Sequence, residues 1–91
     1  MQIKVRVPLS FYNFTGNKTE VQSNGDTLEE LLANLIAQYS GIEELLYDEE
    51  GSIRSSLSLF LNGKIVRIIK NEKTILKGGD EILIMQLIAG G

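Results

Sequence analysis

The residues best suited to a covalent step stand at the end of this 91-residue chain: Gly90 and Gly91 follow closely on the apolar run Ile82-Leu83-Ile84-Met85. A closing pair of glycines adds nothing to packing, and glycine loses more backbone entropy on ordering than any other residue. Such an end is useful where a C-terminal carboxylate must enter a cleft too narrow for a Cβ. The expected chemistry is therefore acyl chemistry at the Gly91 carboxylate, carried out inside another protein. At neutral pH that carboxylate is ionised, with a reference pKa of about 3.5, and it is a poor electrophile until activated. Residues 86–91 reach at most about 21 Å at ~3.5 Å per residue, enough to carry the terminus into a buried site while the globule docks outside.

Other chemistry is excluded by composition. The chain has no cysteine and no histidine. That removes disulfides, thiolate nucleophiles, Cys/His zinc sites and imidazole base catalysis together. The remaining carboxylates, lysines, tyrosines and serines form no catalytic spacing, which weakens an enzymatic reading. Asp48-Glu49-Glu50 lacks the spaced ligands of a calcium loop. Lys77-Gly78-Gly79-Asp80 lacks the spacing of a phosphate loop and precedes a strand instead of a helix. No metal or cofactor held by this chain is expected. The net charge of -3, with both signs mixed, argues against a nucleic-acid surface. No apolar run approaches the roughly 20 residues that span a bilayer. The alternating start, Gln2 to Arg6, has no apolar signal segment, so a cytoplasmic location without membrane attachment is expected.

Elements must position that terminus. Ile3, Val5, Val7 and Leu9 alternate with polar residues, which predicts a strand over 2–9 with one buried face and Pro8 near its end. Residues 18–23 form a second, weaker strand pattern. Asp26 with Glu29 matches a capping box at the start of a helix over 27–40. Its apolar stripe is Leu28, Leu31, Leu32, Leu35, Ile36 and Tyr39. Gly41 would stop it, and Ile42–Tyr47 reads as a further helical turn. Leu57–Leu61 predicts a strand, Asn62-Gly63 a tight hairpin turn, and residues 64–67 the returning strand. Ile75 and Leu76 are expected to plug the core, and residues 81–86 to form the last strand. One amphipathic helix must bury its stripe against a sheet. With the first and last strands as parallel central neighbours, this is an α+β, β-grasp arrangement, a mixed sheet of four to five strands. Residues 1–85 are read as the folded domain and 86–91 as a flexible tail.

If Leu57, Leu59 and Leu61 face the helix, alternation turns Phe60 outward, and likewise Leu83 and Met85 in the last strand. Phe60, Leu83 and Met85, continued by Leu87 and Ile88 of the tail, are the expected partner-binding residues.

Gly25-Asp26-Thr27-Leu28, Tyr39-Ser40-Gly41-Ile42, Leu59-Phe60-Leu61-Asn62, Gly79-Asp80 and the terminal Ala89-Gly90-Gly91, in this order, resemble the ubiquitin-like sulfur carrier family over essentially the whole chain. That family includes the small subunit of molybdopterin synthase and the carriers of the thiamine and cysteine pathways. The resemblance implies that an E1-like adenylyltransferase spends ATP to adenylate Gly91 and that sulfur then displaces AMP. The thiocarboxylate formed would serve an acceptor such as a molybdopterin synthase large subunit or a cysteine synthase. Molybdopterin assembly is the first expectation, and cysteine or thiamine synthesis the alternative. Conjugation of Gly91 to target lysines is a further alternative, and a plain interaction module a reading of another class. The sequence departs from the family at Gln86-Leu87-Ile88, where prolines are common, which implies a less stiff tail.

Overall fold

The computed structural model describes residues 2–69 and 72–87. Its strands are β1 (Gln2–Arg6), β2 (Glu20–Asn24), β3 (Leu57–Leu61), β4 (Lys64–Val66) and β5 (Glu81–Gln86). The helices are α1 (Leu28–Gln38) and α2 (Ile42–Leu46), with a 3-10 helix over Leu9–Phe14. The strands form one sheet in the order β2-β1-β5-β3-β4. β1 and β5 run parallel at its centre, and the other neighbours are antiparallel. This is the expected β-grasp arrangement, with α1 crossing one face.

The core lies between α1 and the inner face of the sheet. Leu28, Leu31, Leu32 and Leu35 are fully buried against Ile3, Val5, Leu59, Ile82 and Ile84. Ile36 and Tyr39 pack at its margin. Burying each of these leucines is worth about 2 kcal/mol of transfer free energy, so the stripe that marks the helix is also what fixes it to the sheet.

Three local expectations are corrected. β1 ends at Arg6, and Leu9 is 77% exposed because the chain turns at Pro8 into the 3-10 helix, where Phe11 is the buried residue. The helix cap is one residue later than predicted. The Thr27 hydroxyl accepts from the Glu30 N–H at 3.2 Å, and the Glu30 carboxylate reaches back to the Asp26 N–H at 3.1 Å. Thr27 and Glu30 form a capping box as good in sequence as Asp26 and Glu29. Leu76 is buried, but Ile75 is 70% exposed. Hydrogen bonds from Leu28 to Thr74 and from Leu76 to Asp26 run this segment beside the start of α1 as an extended chain, so only one of two adjacent side chains points inward.

Two glycines are required by contacts. A Cβ on Gly25 would lie 2.5 Å from the Leu31 nitrogen, so the chain leaving β2 passes against the backbone of α1. Gly41 has φ +92° and leaves no room for a Cβ beside the Phe14 ring. It ends the helical region as expected and starts α2. The acidic loop closes on itself: Asp48 Oδ1 accepts from the N–H groups of Glu50 and Ser52.

Candidate functional site

The outer face of the sheet, away from α1, divides into two halves. On β1 and β2 it carries charge. Arg6 Nε lies 2.6 Å from Glu81 Oε1 and 3.7 Å from Glu20 Oε1, and Lys4 Nζ lies 3.9 Å from Glu20 Oε2. These pairs are exposed and contribute little stability. Beyond Glu81 at the start of β5, the face on β5, β3 and β4 is apolar. Register places Leu83 opposite Phe60, and Phe60 opposite Ile65, in one cross-strand row. Met85 lies beside them opposite Ser58. Ile65 is 58% and Met85 42% exposed, whereas Phe60 and Leu83 are partly covered. A shallow concavity of about 370 Å³ runs from Arg6 and Glu81 across Phe60 and Leu83 to Met85.

The outward side chains expected on β3 and β5 therefore do converge. Ile65 was missed. Its signal was present, because the Asn62-Gly63 turn, with φ of +50° and +87°, fixes the hairpin register and sets Ile65 against Phe60 on the outer face.

The apolar half continues toward the chain terminus. β5 runs to Gln86, and the Leu87 N–H donates to the Ser56 carbonyl at 2.7 Å. The Gln86 side chain is held from both sides: Ser10 Oγ donates to its Oε1 at 3.1 Å, and its Nε2 donates to the Ser56 carbonyl at 3.4 Å. Leu87 is half exposed. The root of the tail is thus held by hydrogen bonds. Ile88, Ala89, Gly90 and Gly91, the other expected site residues, lie outside the described residues.

At the opposite end of β5, Asp80 is buried. Its Oδ1 accepts from Asn62 Nδ2 at 2.9 Å and its Oδ2 from the Lys77 N–H at 2.8 Å. Asn62 Oδ1 in turn accepts from the Glu81 N–H at 2.9 Å. These bonds tie the β3–β4 hairpin to the start of β5. They hold the Asp80 carboxyl below its usual range, the Asn62 bond acting most strongly. Tyr47 is shifted the other way: burial first, then the charges of Glu29 and Glu43, raise its phenol. Among the described residues no cluster of acidic side chains is arranged to hold a metal, and no helix is long and apolar enough to cross a membrane.

The ThiS family matches residues 5–91. This chain belongs to the ThiS family. The sulfur carrier protein CysO of Mycobacterium tuberculosis is 32% identical over 93 residues, covering all of both chains. The CysO-containing crystal structure of the Amycolatopsis orientalis BexX/CysO complex superposes with a TM-score of 0.83 at 26% identity, over 98% of this chain and 99% of that one. The complex of subunits 1 and 2 of the molybdopterin-converting factor from Helicobacter pylori gives a TM-score of 0.64 at 22% identity over all of both chains, which is a likeness of fold alone. As a ThiS-family member of the CysO type, the chain is a sulfur carrier protein and not itself an enzyme.

Proposed function

We propose that this protein carries sulfur as a thiocarboxylate on Gly91 and delivers it to a cysteine-forming acceptor enzyme. An activating enzyme joins the Gly91 carboxylate to AMP, releasing pyrophosphate from ATP. Sulfide then attacks the acyl carbon, AMP leaves, a proton passes to solvent, and the sulfur stays on that carbon as a nucleophilic thiocarboxylate on the main chain. ATP belongs to the activating enzyme, which this reading takes to be E1-like. Glycine at both final positions keeps the acyl carbon accessible in a narrow cleft. The absence of cysteine fits a protein whose sulfur rides on its terminus.

The choice of branch rests on one observation, full-length identity of 32% with a sulfur carrier named CysO. It favours cysteine formation over the molybdopterin branch placed first from the sequence, for which the likeness is of fold alone. The test begins with the chain, ATP, sulfide and the activating enzyme of the same organism. Intact-mass spectrometry should show one oxygen replaced by sulfur, and a chain lacking both glycines should remain unmodified. The loaded carrier is then offered to a cysteine synthase and to a molybdopterin synthase large subunit. Consumption of the thiocarboxylate by the first supports the reading. Consumption by the second alone overturns the branch, and loading of the truncated chain overturns the site.

A further inference from the structure

The two edges of the sheet are finished differently. The Val7 N–H donates to the Thr19 carbonyl at 2.9 Å, so alternation points the backbone groups of Gln22 and Asn24 away from β1. The outward carbonyls are taken by α1: Gln38 Nε2 donates to the Gln22 carbonyl at 3.0 Å and Asn34 Nδ2 to the Asn24 carbonyl at 2.7 Å. The β2 edge is capped.

The β4 edge is not. In a two-residue hairpin the residues flanking the turn, here Leu61 and Lys64, form a hydrogen-bonded pair. The Asn62 N–H donates to the Glu81 carbonyl and the Leu87 N–H to the Ser56 carbonyl. These bonds assign the alternate residues of β3 to β5, which agrees. Ile65 therefore turns its N–H and C=O outward, and Arg67 follows in the same phase. Neither residue has a backbone bond on that side among the described residues.

A groove of about 760 Å³ opens beside this edge on the inner side, floored by Tyr47, Ile53, Leu57, Leu59 and Val66. Glu29 lines it too, and its Oε1 is closed off from solvent without a hydrogen-bond partner among the described residues. Ile65, Ile68 and Ile69 are exposed around it. The protein is acidic overall, yet Arg54 and Arg67 line this groove with Glu29 and Lys64 stands on β4, while Glu43, Glu44, Asp48 and Glu49 line an adjoining concavity that shares Arg54. Exposed unpaired edges are normally blunted or covered.

We propose that the β4 edge is a strand-addition site for an extended segment of a partner protein, apolar at alternate positions and acidic at its flanks. Main-chain bonds to Ile65 and Arg67 hold the segment, and alternate side chains enter the groove. The acidic flanks meet Arg54, Lys64 and Arg67. A second copy of this chain suits the edge less well, because two-fold pairing gathers Lys64 and Arg67 of both copies on one short ladder, and like charges across strands are unfavourable. The added backbone lies at the sheet margin, so the segment and a partner on Phe60, Leu83 and Met85 bind different parts of the molecule.

The probe is a short synthetic peptide of alternating valine and threonine with two aspartates at each end. Titrated into isotope-labelled protein, it should shift the amides of Ile65 and Arg67 and slow their hydrogen exchange. Ile65→Pro removes an outward N–H without breaking a bond to β3 and should abolish binding. Should that variant fail to fold, Arg67→Glu on the exposed surface decides, with binding weakened about tenfold or more. Added salt should weaken the wild-type complex in the same direction. The proposal is overturned by unperturbed Ile65 and Arg67 amides at millimolar peptide or by shifts confined to Phe60, Leu83 and Met85. It is also overturned by equal binding of a lysine-flanked peptide, or by self-association that protects Ile65 without peptide.

Discussion

Removing the Asp80 carboxylate should destabilise the protein by about 2–3 kcal/mol, and the loss should depend on pH. Asp80 is 6% exposed and accepts from Asn62 Nδ2 and from the Lys77 N–H. Bonds to a charged acceptor contribute roughly 1.5–3 kcal/mol each. Their sum would be about 3–6 kcal/mol; a smaller value, about 2–3 kcal/mol, applies here, since the turn over residues 77–79 is exposed and water can replace part of what is lost. In a domain of this size the change corresponds to a fall in Tm of about 10–20 °C for Asp80→Ala. The carboxyl pKa is lowered from the ordinary 3.8 in the folded state. Its stabilisation is therefore fully present above the unfolded value and is lost as pH falls through the folded one. Denaturant unfolding of wild type and Asp80→Asn should show a gap of about 1–2 kcal/mol at pH 7 that narrows between pH 4 and pH 2. An equal gap at both ends of that range would show that the charge is not the source. At temperatures where the variant is folded, activation at Gly91 should be unchanged, because the bonds lost are at the far end of β5 from the tail.

Phe60→Asp places a charge in the middle of the outer apolar row and should weaken binding of the activating enzyme by at least about tenfold, or 1.4 kcal/mol. Phe60 is not part of the buried core, so Tm should move by only a few degrees; normal binding with normal stability would remove the patch from the docking face. Gly25→Ala drives a Cβ into the α1 backbone and should cost about 1–3 kcal/mol, read by guanidinium unfolding; a neutral result would show that this close approach is relieved by an easy shift. Gln86→Ala deletes two exposed side-chain bonds and should change stability by less than about 1 kcal/mol while speeding hydrogen exchange at Leu87. Unchanged exchange would mean that the Ser56 carbonyl alone holds the tail root.

Much of the fold was legible because the strongest patterns were also the most buried. The α1 stripe, β3, the Asn62-Gly63 turn and β5 all appear where periodicity and turn chemistry put them, since each buries a regular set of side chains. The misses share a physical origin. Leu9 follows an alternation that Pro8 breaks, and periodicity does not register the break. Asp26/Glu29 and Thr27/Glu30 are equivalent capping boxes in sequence, and the choice is made by the packing of α1 and the bond from Leu28 to Thr74. Ile75 and Leu76 are adjacent, so an extended segment can bury only one. Of the candidate site, the patch was legible through alternation, and Ile65 needed only the hairpin register carried one strand further. The clamp on Gln86 was not legible, because Ser10 and Ser56 come to it from distant parts of the chain.

That clamp changes the geometry expected of a partner. Read from sequence, the tail begins at residue 86 and reaches about 21 Å. With Gln86 paired in β5 and the Leu87 N–H bonded to Ser56, only four residues follow the last fixed one, and their full extension is about 14 Å. If Gly91 is the residue activated, as proposed, a partner must bring its reactive centre within about that distance of Leu87. Met85 lies in the same strand just before this point, so a partner seated on the apolar half of the outer face is already close enough. The charged half, across β1 and β2, starts further away and is occupied by its own ion pairs. On the proposed function the same strand carries both the docking patch and the root of the reacting end, and its pairing with β3 holds the two at a fixed separation.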